Sequence, residues 1–171
     1  MKRILFLLAF SLLFISCSSN TTNNYKVDDF FVAGNFTYNG GFEGAGFKTT
    51  SKYVYKNGYK FILEDTIDTA TQVQRVYLLT KDSIVLIFTG ENTSADLNSL
   101  DLTKGEVILK APFNIGNKWL SAGNKYEIIE YIDAESGPEI TIEKTYPNGN
   151  IERIIYQKGF GKISKVLILG S

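Results

Sequence analysis

The chain holds no histidine and a single cysteine among its 171 residues. Any chemistry it performs must rest on carboxylates, hydroxyls and amines. A Ser-His-Asp triad, a Cys-His pair and a histidine metal site are excluded outright. Neither Gly-x-Ser-x-Gly nor Ser-x-x-Lys occurs, so the common serine nucleophiles have no home here. Carboxylates do cluster, at Asp28-Asp29 and at Glu64, Asp65 and Asp68. Two carboxylates at the right separation hydrolyse a glycoside. Both clusters fall where a strand ends or a loop begins, and solvated loop charge explains them more simply. The spacing of an EF-hand is absent. The reading is therefore a protein that is not an enzyme, with no cofactor and no metal, and a carboxylate-dependent glycosidase ranks behind the other roles.

The aromatic residues suggest binding instead. Ten of them lie between Phe30 and Phe61, several at alternate positions: Phe36 and Tyr38, Tyr53 and Tyr55, Tyr59 and Phe61. Such rings either pack sheet faces together or line a cavity with tyrosine hydroxyls at its mouth. Tyr53, Tyr55 and Phe61 are the expected ligand-binding residues under the second alternative. The segment Gly40 to Gly46 is glycine-rich, as bulges and close backbone approaches are. No Gly-Lys-Ser/Thr follows it, so it is not a phosphate loop.

The remaining reactive group is Cys17. Lys2 and Arg3 precede an apolar run, Ile4 to Ile15, broken only by Ser11. Twelve residues rise about 18 Å as a helix, against a bilayer core of about 30 Å, so the run is too short to span. A basic start, a short apolar stretch and then small residues form the layout of a secretory signal peptide. The junction Phe14-Ile15-Ser16-Cys17 resembles the lipobox of bacterial lipoproteins, with phenylalanine where leucine is usual. That resemblance implies cleavage before Cys17, a diacylglycerol thioether on its sulfur, and a lipid-anchored protein outside the cytoplasm. Ser18 follows where Gram-negative lipoproteins retained at the inner membrane carry aspartate, which implies the outer membrane if the organism has one. Each buried acyl methylene contributes about 0.8 kcal/mol, so two or three chains anchor durably.

Three segments follow: a signal peptide over 1–16, a lipidated cysteine with a polar tether over 17–24, and one domain over 25–171. The tether reaches at most about 25 Å when extended. The whole chain carries 18 basic and 18 acidic side chains, and the mature chain, without Lys2 and Arg3, carries a net charge of −2. Neither balance supplies the basic face that nucleic acid demands.

The domain reads as all-β, an antiparallel meander of about nine or ten strands forming a curved sheet, a half-barrel or barrel, or a sandwich. Tyr53-Val-Tyr-Lys, Asn57-Gly58 and Tyr59-Lys-Phe-Ile form a strong hairpin signal, because Asn-Gly accepts the positive φ angles of a type I′ turn. That turn sets Lys56 opposite Tyr59, Val54 opposite Phe61 and Tyr53 opposite Ile62. Gln72–Leu79 and Ser83–Thr89 form a second hairpin around Lys81-Asp82. Ile84 to Phe88 is apolar without alternation, as a strand buried on both faces would be. Further strands are expected over Tyr126–Ile132, Ile140–Thr145, Ile151–Tyr156 and Ile163–Leu169. Ser94 to Leu102 allows a helical turn, and no other helix is expected after the signal peptide. Phe31-Val-Ala-Gly-Asn35 recurs as Phe113-Asn-Ile-Gly-Asn117, a weak internal repeat.

Ile108-Leu-Lys-Ala-Pro112, Gly116-x-x-Trp119 and Tyr156-x-x-Gly159-x-Gly161 are similar to a pattern in small uncharacterised β-rich bacterial lipoproteins. There an LK-x-P…G-x-x-W segment precedes a β-rich end carrying Y-x-K-x-x-G. These are turn and core residues, so the resemblance implies fold kinship and transfers no catalytic residue. On β content alone there is a more distant similarity to the half-barrel of periplasmic lipoprotein carriers. The expected role is a non-catalytic, lipid-anchored binding module for an apolar small molecule. The alternative is an envelope scaffold that contacts another envelope protein.

Overall fold

The computed structural model describes residues 25–40, 46–68 and 71–170. The signal segment, Cys17, the tether and residues 41–45 of the glycine-rich stretch lie outside the described residues. Within them the fold is all-β, as expected, with eleven strands rather than nine or ten. The first sheet is a six-stranded antiparallel meander in sequence order. It comprises β1 (Asn35–Tyr38), β2 (Phe47–Lys56), β3 (Tyr59–Asp68), β4 (Thr71–Leu79), β5 (Ser83–Glu91) and β6 (Glu106–Lys110). The second is a five-stranded meander in the same style. It comprises β7 (Lys118–Ser121), β8 (Asn124–Ala134), β9 (Gly137–Thr145), β10 (Ile151–Gln157) and β11 (Gly161–Ile168). The strands missed by sequence include β1 and β7, each four residues long and too short to display a period of two.

The β2–β3 hairpin follows its turn chemistry. Asn57 and Gly58 have φ values of 51° and 79°. The register is the one the turn dictates, with Lys56 opposite Tyr59 and Tyr53 opposite Ile62. Along β3 the alternation divides the residues between two cores. Ile62 faces the second sheet and joins the main core with Tyr77, Ile84, Leu109, Trp119, Ile128 and Ile140. Phe61 faces the other way, with Val76 and Leu78, under Ala95, Leu97, Leu100 and Leu102. Strand β5 contributes to both, Ile84 to the first and Val85 and Ile87 to the second, which accounts for its unbroken apolar run.

The Ser94–Leu102 segment is a turn-rich loop, not a helix. Asp96 accepts hydrogen bonds from the Asn98 backbone (2.9 Å), and Asp101 does the same for Thr103 (3.0 Å). These local side-chain bonds hold the backbone in turns that compete with helix. A four-residue helix that sequence reading missed, α1 (Val27–Phe30), lies at the start of the domain. It closes one end of the main core. Phe30 is fully buried and meets Phe113 edge-on at 4.8 Å, and Phe31 meets Tyr77 at 4.7 Å. The two copies of the weak repeat therefore lead into the first strands of the two sheets, and their neighbourhoods meet in the core.

The two sheets close on each other through side chains, since among the described residues their edge strands share no backbone ladder. At the β6–β7 seam, Ser121 Oγ accepts from the Val107 N–H (2.7 Å) and Trp119 Nε1 donates to the Val107 carbonyl (2.8 Å). At the β1–β11 seam, the Tyr38 hydroxyl donates to the Lys162 carbonyl (2.9 Å). An unpaired edge leaves backbone polar groups without partners, and these contacts supply partners to the Val107 N–H and carbonyl and to the Lys162 carbonyl. Phe30→Ala removes the largest group of the terminal plug and should cost about 3–5 kcal/mol in urea denaturation; a loss under about 1 kcal/mol would show that the plug does not stabilise the domain.

Candidate functional site

Between the sheets, next to the apolar core, lies a cavity of about 820 Å³. That is within the range of small-molecule sites, roughly 300–1,000 Å³. Apolar wall is supplied by Phe36, Phe47, Leu86, Ile108, Ile154 and Leu167. Tyrosines, neutral polar groups and charged side chains share the rest. Three carboxylates, Glu64, Glu106 and Glu152, line it together with four cations, Arg75, Lys144, Lys162 and Lys165.

Strand alternation delivers these groups. Glu64 and Arg75 are register partners across β3–β4. Arg75 Nη1 lies 3.3 Å from Glu64 Oε1 and also donates to Thr66 Oγ1 at 3.2 Å, while the Tyr77 hydroxyl donates to the same Glu64 oxygen at 3.0 Å. Glu106, on the last strand of the first sheet, is held entirely by the second sheet. Lys144 Nζ is 2.8 Å away, Tyr126 OH 2.7 Å and Asn124 Nδ2 2.5 Å, all on Oε1. Glu152 accepts from Tyr146 OH at 2.7 Å and pairs with Lys165. Each carboxylate thus takes one cation and one phenol. Lys144 is further covered by the rings of Tyr146 and Tyr126, at 4.5 and 5.6 Å.

Strand β11 reaches the cavity by an irregularity. Lys162 and Lys165 are three residues apart, so regular alternation would send them to opposite faces. The register shifts between Ile155 and Tyr156, so that Tyr156 opposes Lys162 while Ile154 opposes Lys165. The bulge turns both lysines inward, a common use of such an insertion.

The electrostatics follow from burial and pairing. Burial pushes the Glu106 and Glu152 carboxyls up, but hydrogen bonds from Lys144, Tyr126 and Asn124 at the first, and from Lys165 and Tyr146 at the second, outweigh it. Both end below the usual carboxylate range. Burial, reinforced by neighbouring glutamates, raises the phenols of Tyr77, Tyr126, Tyr146 and Tyr156. Tyr38 is raised to about 12, by burial first and the charge of Glu64 second. All of them are neutral hydrogen-bond donors at neutral pH. Burial lowers the Lys162 ammonium, and Glu64 only partly offsets this.

The residues picked out by sequence lie elsewhere. Tyr53 and Tyr55 stand toward the tip of the β2–β3 hairpin and are 39% and 73% exposed, and Phe61 is buried in the outer core. None of the three lines the cavity. The carboxylate clusters are separated too. Asp65 points to the face opposite Glu64 and accepts from Gln74 Nε2 at 2.9 Å, and Asp28 pairs with Lys60. Among the described residues no group of three or more His, Cys, Asp or Glu side chains is placed to hold a metal ion. No described helix is long and apolar enough to cross a membrane. Sequence reasoning missed Tyr77, Tyr126, Tyr146 and Tyr156 as cavity residues, and Glu106 and Glu152 with them; the strand of Glu152 was expected and that of Glu106 was not, and register irregularities in β4–β5, β5–β6, β8–β9 and β10–β11 break the simple alternation from which inward-facing residues could be read. Comparison with known protein families, with curated proteins and with solved structures finds no match for this chain.

The depressed carboxyls set an acid limit. A folded-state pKa below the unfolded one stabilises at pH values above the unfolded value, about 4.3, and that contribution disappears as pH falls through the folded value. The urea midpoint should therefore fall steeply below about pH 4. Glu106→Gln strands Lys144 and should cost about 3 kcal/mol at pH 7 while flattening the acid slope. An unchanged midpoint at pH 7 would show that Glu106 does not join the sheets.

Proposed function

We propose that the chain is a lipid-anchored envelope protein that binds a small amphipathic molecule between its two sheets and does not transform it. The cavity carries this reading. It is large, partly apolar, and bounded by groups that hold one another in place. Its carboxylates are each engaged by a cation and a phenol, which suits an enclosure better than a general acid or base. This replaces a wholly apolar ligand by one with an apolar body and a polar head.

Anchoring rests on the sequence. Cys17 follows Ile15-Ser16 behind a short apolar run, in keeping with lipidation and a place in the cell envelope outside the cytoplasm, at the outer membrane where one exists. The domain would then stand within about 25 Å of the surface on its tether. Cys17→Ala should move the protein from the membrane pellet to the soluble fraction and abolish incorporation of labelled palmitate.

The scaffold alternative draws on one observation. Strand β11 and its continuation expose Val166, Leu167 and Leu169 at 54%, 54% and 74%. An exposed apolar edge of this kind marks contact with another protein in some cases. Native mass spectrometry of the protein after incubation with an extract of its own envelope separates the two. Binding between the sheets predicts a discrete added mass that is lost in Ile108→Trp, which fills the cavity, and kept in Tyr53→Ala. A bare mass throughout, with a protein partner recovered on crosslinking through Leu169, would favour the scaffold.

A further inference from the structure

The cavity's charges do not balance, and the imbalance has a location. Glu64 takes Arg75 and Tyr77, Glu106 takes Lys144 and Tyr126, and Glu152 takes Lys165 and Tyr146. One cation, Lys162, and two phenols, Tyr38 and Tyr156, remain, and of the phenols Tyr38 already donates to the Lys162 carbonyl. Lys162 makes no ion pair and no side-chain hydrogen bond among the described residues; the Tyr38 ring lies 5.8 Å from its ammonium, at the limit of cation–π attraction, and Glu64 and Glu152 attract it without contact. Tyr156 is 2% exposed, and its hydroxyl meets no partner among the described residues. Lys162 is half-buried and Tyr156 fully buried; buried polar groups in proteins nearly always have partners, so an unpartnered phenol beside an unpaired ammonium needs an explanation.

These two leftovers are neighbours. Lys162 and Tyr156 oppose each other across β10–β11 on the inner face. Directly opposed side chains in an antiparallel pair start about 4.5–5.5 Å apart. The bulge that brings Lys162 inward would be unnecessary if Lys165 alone were needed to neutralise Glu152. The Tyr38 hydroxyl fixes the backbone carbonyl of Lys162 itself, which holds the residue in place without satisfying its ammonium.

We propose that Lys162 and Tyr156 receive the carboxylate of an amphipathic monocarboxylate, which completes a fourth set of carboxylate, cation and phenol. The inference rests on the binding reading above and adds the head group. A single negative charge brings the cavity lining to neutrality, whereas a dianionic phosphate would leave it one charge in excess, at a cost in a low-dielectric interior. An ammonium would meet an unpaired like charge. The apolar wall from Phe36, Phe47, Ile154 and Leu167 then receives the hydrocarbon body.

The test compares three ligands with one chain and different heads: hexadecanoate, hexadecanol and hexadecylamine, titrated into the full protein in detergent. The expected order is carboxylate tightest, alcohol weaker, amine weakest. Lys162→Gln should weaken the carboxylate by at least about tenfold and leave the alcohol unchanged. Tyr156→Phe should weaken the carboxylate by a few-fold. Lys162→Met should melt at the same temperature as the parent without ligand, or higher, because it removes an unpaired, half-buried charge. Equal binding of carboxylate and alcohol, unaffected by Lys162→Gln, would overturn the head-group assignment and leave the cavity as a site for apolar chains. Failure of every ligand to bind would overturn both. Unfolding of Lys162→Met would assign Lys162 a structural role and overturn the proposal as well.

Discussion

Everything in this domain depends on how charge is held inside a β enclosure. The interior between the sheets has an apolar half, filled by Phe30, Ile84, Leu109, Phe113 and Ile140, and a polar half lined by carboxylates and cations. Charges cannot be left alone in such a place, because desolvation without pairing costs several kcal/mol for each ion. The three glutamates meet this demand in one way, with a cation and a tyrosine each. Glu106 has a further consequence, since its three donors all come from the opposite sheet. It is a polar bolt where a backbone ladder would otherwise close a barrel.

The open architecture follows from that arrangement. A continuous barrel would satisfy every edge through the backbone. Here both seams are closed by side chains, Trp119 and Ser121 at one and Tyr38 at the other. Side-chain seams fix the spacing of the sheets without drawing them to ladder distance. Space for a cavity remains beside the core, while α1 and its phenylalanines shut one end.

Much of the fold was legible in the sequence. Asn57-Gly58 determined a hairpin and its register residue by residue, and the unbroken apolar run at Ile84–Phe88 announced a strand with a core on each side. The site was far less legible. Clustering of aromatics drew attention to Tyr53, Tyr55 and Phe61, but density of rings along a chain does not say which face they take. The tyrosines that matter, Tyr77, Tyr126, Tyr146 and Tyr156, are scattered over three strands in two sheets and the connection after β9, and meet only through long-range pairing. Bulges add a second difficulty. One extra residue reverses parity, so Lys162 and Lys165 share a face that their spacing forbids. Adjacent carboxylates such as Glu64 and Asp65, conversely, look like a pair in sequence and stand on opposite faces of a sheet.

The most direct test of the account is a crystal structure of the protein purified from its own membranes without delipidation. The account predicts elongated density between the sheets, its apolar part against Phe36, Phe47 and Ile154, and its acidic end within hydrogen-bond distance of Lys162 Nζ and Tyr156 OH. Density bound instead over Tyr53 and Tyr55 on the hairpin, or a collapsed interior with Glu64, Glu106 and Glu152 turned to solvent, would contradict it.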